Sequence, residues 1–188
     1  MVTRDIFQDF YFTGYNRLRT RENANSETRQ TMLTLELFAF GRLEHYHEHQ
    51  EQLLSLTPRE LAKLKQLTLL DYAADKVSIG YDELKPLLGF NCNVELEHFL
   101  YLINETLIHL KVDALSQVVE IETLAPREVL VEGDNTVPLE LFSKENVNTS
   151  RGLIKKLDLF KKDRILKVNE SLQRQLKEVD QYRTKSAS

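Results

Sequence analysis

Apolar positions recur along this chain in distinct rhythms, and each rhythm predicts a different element. From Met32 to Phe40 the residues Met32, Leu33, Leu35, Leu37, Phe38 and Phe40 leave almost no polar face, which predicts a helix buried all round and ending near Gly41. A second short helix is predicted over Leu43 to Leu54. Leu61, Leu64, Leu67, Leu70 and Ala74 then recur every three or four residues, the stripe of a helix with one inward face. Its start is marked by Leu56-Thr57-Pro58-Arg59-Glu60-Leu61. Thr57 can cap the free amides, Pro58 suits the first helical position, Glu60 can close a capping box, and Leu56 and Leu61 can staple the turn.

Val77-Ser78-Ile79 alternates like a short strand and stops at Gly80. Tyr81 to Gly89 reads as a short helix, because Pro86 is tolerated only within or just past a first turn and Gly89 is a natural terminator. Leu96, Phe99, Leu100, Ile103, Leu107 and Leu110 carry the next helical stripe, with Asn91 or Asn93 as its cap. Two β-prone runs follow, Lys111 to Ala114 and Val118 to Glu122, around Leu115-Ser116-Gln117.

The flanks have a different texture. Residues 1–30 mix Phe7, Phe10, Tyr11, Phe12 and Tyr15 with polar residues, and Arg21 to Arg29 is nearly without apolar side chains; an N-terminal segment with a flexible joint is expected. Residues 125–144 carry Pro126, Gly133 and Pro138 and read as a loop, irregular or clipped against the hairpin. From about 145 to 183 the chain turns helical again: Leu153, Ile154, Leu157, Phe160, Ile165, Val168, Leu172, Leu176 and Val179 form a stripe with lysines and arginines between them. A helix of that length cannot bury its stripe on a small domain, so Ile154, Leu157, Ile165, Val168, Leu172, Leu176 and Val179 are expected to bind partner helices. Folding back onto the N-terminal helices is the alternative. The resulting division is 1–30, a helical segment 31–56, a helix-strand-helix-helix-hairpin unit 57–124, the loop 125–144 and the helix 145–183.

Composition narrows the function. A chain of 188 residues supports one modest core rather than two domains of ordinary size. Its longest apolar runs, such as Leu67 to Leu70, fall far short of the roughly 18 residues that cross a bilayer, so a soluble intracellular protein with no membrane contact is expected. The single cysteine, Cys92, can form no internal disulfide, and a quiet packing role is expected for it. Charge is unevenly placed: residues 144–188 hold twelve of the 25 basic but six of the 29 acidic residues, so a basic tail follows an acidic body. No Gly-rich phosphate loop, nucleophile elbow or paired carboxylates stand out, and no catalytic residue or cofactor is assigned.

The helix, strand, helix, helix and hairpin of 57–124 follow in the order of a winged helix. Three segments, Lys63 to Leu70, Ser78 to Leu84 and Leu107 to Ile121, resemble a PCI domain, and among PCI proteins the subunit-7 type of the COP-9 signalosome, numbered subunit 9 in some fungi. Leu35-Glu36-Leu37-Phe38-Ala39-Phe40-Gly41 is similar to the N-terminal signature of that subunit, and the likeness covers roughly residues 32–130. Leu110 departs from it, standing where many relatives carry glycine before Lys-Val-Asp.

The resemblance implies a mainly α fold: a short N-terminal helical segment, a winged-helix PCI module with a small β-hairpin wing, and a long C-terminal helix. It implies a non-catalytic scaffold of a complex that removes a ubiquitin-like modifier from cullins, found in cytoplasm and nucleus, with the metalloprotease chemistry in another subunit. The implied partners are other PCI subunits, and indirectly the metalloprotease and the cullin ligases. PCI wings of that family pair edge to edge, which points to Val112, Val118, Val119 and Ile121 as the wing contact. A PCI subunit of the proteasome lid or of a translation initiation complex is the alternative, and a nucleic-acid-binding winged helix a further one.

Two features test these readings. His45, His47 and Ser55 fall at the spacing of a signalosome-type zinc motif, but Pro58 stands in place of its aspartate and the surroundings read as helix, so no metal is assigned. A winged helix that reads DNA needs Lys and Arg on its third helix; between Val94 and Leu110 there are Glu95, Glu97 and Glu105 and no Lys or Arg, so no specific nucleic-acid binding is expected.

Overall fold

The computed structural model describes residues 3–130, 137–143, 147, 149–150 and 152–155. It is mainly helical, with helices α1 (Arg21–Ser26), α2 (Arg29–Phe40), α3 (Leu43–Glu48), α4 (Pro58–Ala73), α5 (Tyr81–Leu88) and α6 (Asn93–Ile103). Strands β1 (Ser78–Gly80), β2 (Ile108–Asp113) and β3 (Val118–Leu124) form an antiparallel sheet in the order β1-β3-β2. The order α4-β1-α5-α6-β2-β3 is compatible with the expected winged-helix, PCI-like module.

Each start and stop follows from local chemistry. At the head of α4, Thr57 Oγ1 accepts from the Glu60 N–H at 3.3 Å while Glu60 Oε2 accepts from the Thr57 N–H at 2.7 Å, so the capping box forms as the sequence predicts. Gly89 closes α5 in the left-handed region at φ 64°. Gly41 closes α2 for another reason: its φ of −87° suits any residue, but an added Cβ would lie 2.8 Å from the Leu37 carbonyl oxygen and 2.9 Å from the Phe142 ring. Close approach of the chain, not backbone freedom, requires glycine there.

Pro86 falls just past the first turn of α5, where it removes a bond to Asp82, and the helix is short as expected, ending two residues later at Leu88. Three expectations are corrected. Helix α6 is opened by Cys92 with no side-chain cap, and Cys92 is exposed rather than packed. The stripe of α6 stops at Ile103, so Leu107 and Leu110 belong to the turn and to β2, because the Asn104 side chain accepts from the Leu110 N–H at 2.9 Å and donates to its carbonyl at 3.3 Å. The helix expected over Leu43 to Leu54 ends at Glu48 and is followed by a short 3-10 turn, Gln50–Gln52.

One contiguous apolar cluster runs from Phe7 to Val147. Helix α2 lies at its heart, buried from Met32 through Ala39, as a helix without a polar face must be. Residues 3–20 pack onto this core: Phe7 and Tyr15 stack at 6.0 Å between ring centres, and Phe7 meets Phe38 edge-on at 4.8 Å. Polar clamps hold the segment to α4, with Arg4 Nε 2.6 Å from Glu60 and Lys63 Nζ donating to the Phe10 carbonyl at 3.1 Å. Where the sequence reads as a flexible joint, α1 forms with Thr20 as its cap.

The loop after β3 is irregular in its described parts, the first of the two expected forms. Its described parts cross back over α2 and the N-terminal segment instead of clipping the hairpin. Glu36, buried in α2, accepts the backbone N–H groups of Glu140, Leu141 and Phe142 at 2.9–3.1 Å and the Arg19 guanidinium at 3.0 Å. A buried carboxylate needs several donors, and three successive backbone amides of this stretch supply them.

Candidate interaction surface

The wing is built from the turn that ends α6. Glu105 takes φ 63°, its N–H donates to the Ile108 carbonyl at 3.0 Å, and Asn104 fills both outward backbone groups of Leu110. Beyond that point β2 and β3 pair with Lys111 opposite Glu120, Val112 opposite Val119 and Asp113 opposite Val118, after a register irregularity at His109/Leu110. The departure at Leu110 thus falls on a bulge, with the Leu110 side chain turned into the core at 5% exposure.

Alternation along the ladder then fixes which groups are free. Since the Leu110 N–H and carbonyl face Asn104, away from β3, those of Val112 face outward as well. The open edge of β2 is therefore short and centres on Val112, whose side chain is 41% exposed. Beside it the turn presents Leu115, 98% exposed, an apolar side chain with no cover in the described chain. The sheet's other face carries Lys111 and Glu122 as an ion pair at 2.5 Å and is polar.

Of the wing residues named from sequence, Val112 alone lies on an edge strand. Val118, Val119 and Ile121 sit on β3, which is flanked by both β1 and β2 and so offers no free edge; Val119 is fully buried, and Val118 and Ile121 are half-buried. A two-strand hairpin would have left β3 open, and the pairing of Ser78, Ile79 and Gly80 with β3 is what closes it.

Helix α6 adds a second exposed strip beside the wing. Val94, His98 and Tyr101 follow at i, i+4 and i+7, with Val94 74%, Tyr101 84% and Leu102 49% exposed, and Glu95 and Glu105 at the ends of the strip. This apolar and acidic face lies where a DNA reader would hold cations, and it repels phosphate.

The C-terminal stripe begins where Thr149 pairs with Leu130 and its hydroxyl accepts the Gly152 N–H at 3.0 Å, opening a helical turn. Ile154 in that turn is 60% exposed. Leu157, Ile165, Val168, Leu172, Leu176 and Val179 lie outside the described residues.

Among the described residues no group of three His, Cys, Asp or Glu side chains is placed to hold a metal. His45 instead closes the first turn of α3, with Nδ1 accepting the Arg42 N–H at 3.0 Å and its ring edge-on to Phe142 at 5.0 Å. Burial pushes its pKa down, so it is neutral at pH 7.

Sequence reasoning missed the buried ionic residues that fix the approach to the C-terminal stripe: Arg19, Glu36, Arg127 and Glu128. Arg19 binds Glu36 and the carbonyls of Val137 and Pro138, and Glu128 accepts the Asn16 N–H at 2.8 Å. One signal was legible: Glu36 interrupts an otherwise apolar helix, and a charge there demands a partner.

Comparison with known proteins bears on this arrangement. The chain is similar to subunit 7 of the COP9 signalosome complex from Arabidopsis thaliana. The two are 35% identical over 99 residues, which cover 50% of this chain and 37% of that relative. The chain therefore spans little more than a third of the length of the signalosome subunit it matches. No protein-family model matches the chain.

Proposed function

We propose that the chain is a non-catalytic scaffold subunit of a signalosome-type complex, working in cytoplasm and nucleus and supporting the removal of a ubiquitin-like modifier from cullins by a metalloprotease in another subunit. The observation that carries this reading is the 35% identity to signalosome subunit 7 over half the chain, together with an element order compatible with a PCI-like module. Two surfaces support it. The wing offers a short backbone edge at Val112 with uncovered Leu115 beside it, suited to accept a strand from another PCI subunit. The basic, apolar stripe from Ile154 to Val179 is suited to a bundle of partner helices.

The acidic strip on α6 argues against the nucleic-acid alternative, and only the identity of the partners separates a signalosome from another PCI-bearing complex. The test is a pull-down from a reconstituted signalosome with Leu172→Glu and Leu176→Glu together. Losing two central contacts of such a stripe removes several kcal/mol, on the order of 4, so the variant should leave the complex while its helical circular dichroism stays near that of the unaltered chain. Undiminished incorporation refutes the proposal.

A further inference from the structure

A cavity of about 350 Å³ opens between the end of α2, the start of α3, Asp71 of α4 and the segment that follows β3. At its wall stands Arg127, whose side chain is 9% exposed. Its Nη2 donates to the carbonyls of Phe38 and Gly41, both neutral acceptors, while Nε and Nη1 are buried from solvent and have no hydrogen-bond partner among the described residues. Native proteins rarely leave such donors empty.

The charges around the cavity do not supply the missing partner. Asp71 is nearest, 3.9 Å from Arg127 Nη1, but its Oδ2 lies 2.5 Å from Arg42 Nε, so two guanidiniums share one carboxylate. Glu128 turns its carboxylate to the Asn16 N–H, and burial pushes its pKa up to about 7. Glu44 stands at the rim, 63% exposed and 3.9 Å from Arg42. His45, which also lines the cavity, is neutral and accepts through Nδ1, so its proton sits on Nε2 as a further donor. Among the described residues the carboxylate oxygens nearest Arg127 are shared, face elsewhere or stand at the rim, and two buried guanidinium donors remain without a hydrogen bond.

We propose that this cavity binds a small oxyanion-bearing ligand, its carboxylate or phosphate oxygens held by the Arg127 guanidinium, which would turn its unserved Nε and Nη1 out of their buried position toward the cavity on binding. Guanidinium is the side chain best suited to planar and tetrahedral oxyanions, and a charge-assisted bond supplies the negative charge that a water molecule cannot. The volume lies at the lower end of the roughly 300–1,000 Å³ of small-molecule pockets, so it holds the anion and a short carrier, not the anion alone. Since Phe142 and Val147 form part of the lining, the ligand would tie the crossing segment to α3 and α4.

The experiment titrates the full chain, ¹⁵N-labelled, with sodium phosphate and separately with sodium acetate, against sodium chloride at equal ionic strength. It follows the arginine Nε–H resonance assigned to Arg127. The expected result is a saturable shift with one or both anions; the stronger of the two tells phosphate from carboxylate recognition. Arg127→Gln should weaken the affinity by about tenfold or more, the loss of one charge-assisted contact, and exposed Arg59→Gln should leave it unchanged. Should Arg127→Gln fail to fold, His45→Gln, which leaves Arg127 in place, is expected to weaken binding severalfold. A shift no different from that in chloride, or equal affinities across all variants, overturns the proposal.

Discussion

Glu36→Gln probes the largest concentration of buried polar energy in the described chain. Glu36 is 1% exposed and Arg19, its ion-pair partner at 3.0 Å, has a side chain only 2% exposed. The same carboxylate takes the N–H groups of Glu140, Leu141 and Phe142. A neutral amide keeps one oxygen for these four donors and turns an NH2 toward the others. Breaking a buried ion pair on one side costs roughly 3–5 kcal/mol, and each buried N–H left without an acceptor adds about 1–3 kcal/mol. Relaxation of residues 140–142 toward water recovers part of this, so a loss of about 4 kcal/mol is expected. Native domains are stable by roughly 5–15 kcal/mol, so the variant should fold with a markedly lower urea midpoint. Arg19→Met with Glu36→Gln should restore only the ion-pair share, because the three amides stay unserved. Equilibrium urea unfolding followed by circular dichroism measures both, and amide exchange at 140–142 should rise with it. A loss below about 1 kcal/mol for Glu36→Gln would refute the reasoning, since a buried carboxylate with four donors cannot be removed so cheaply.

Other expectations follow from single contacts. Lys63 is fully buried with the Phe10 carbonyl and Gln66 as acceptors, and burial pushes its pKa down to about 7; between there and the ordinary value near 10.5 the unfolded chain binds the extra proton, so this group makes stability rise with pH across that window. Urea unfolding at pH 7 and pH 9 should therefore show a gain in the unaltered chain, up to about 1.4 kcal/mol per pH unit, that Lys63→Met lacks; parallel profiles for the two would count against it. Gly41→Ala should lower stability by about 1–3 kcal/mol through crowding against Leu37 and Phe142, and a melting temperature that does not fall contradicts that. Thr57→Ala opens the capping box of α4 and should cost about 1 kcal/mol in the same unfolding assay, whereas Thr57→Ser should cost little.

Local chemistry was the legible part of this fold. The capping box at Thr57, the stop at Gly89, the all-apolar α2 and the alternation of β3 each depend on neighbours within a few residues, and those interactions survive in the one-dimensional text. The end of α6 was not legible, because the apolar period runs on through Leu107 and Leu110. What breaks the helix is a side chain, Asn104, reaching six residues forward to Leu110. Cys92 was misplaced for a related reason: small apolar residues pack inside only where the chain happens to turn them inward, and here it opens α6 on the surface. The wing was half legible. Its strands could be read, but that β1 would pair with β3 and remove Val119 and Ile121 from any edge is a long-range choice between two possible partners.

The buried charges carry the longest reach in sequence and the least local signature. Arg19 and Val137, Asn16 and Glu128, Glu36 and Leu141 lie more than a hundred residues apart, and each pair joins the start of the chain to the stretch that leads into the C-terminal stripe. Apolar packing alone would hold that stretch loosely, because Val137, Leu139 and Leu141 are only half-buried. Hydrogen bonds to a buried carboxylate fix direction as well as position, so the turn opened by Thr149 departs from a fixed point beside Leu130. The proposed docking of the C-terminal stripe on other subunits would benefit from such an anchor, since less orientational freedom would then be lost. On the proposed scaffold role, Glu36→Gln at a temperature where the chain stays folded should slow incorporation into a reconstituted signalosome-type complex, while the mutation leaves Val112 and the wing untouched; unchanged assembly at equal folded concentration refutes a role of the network in docking.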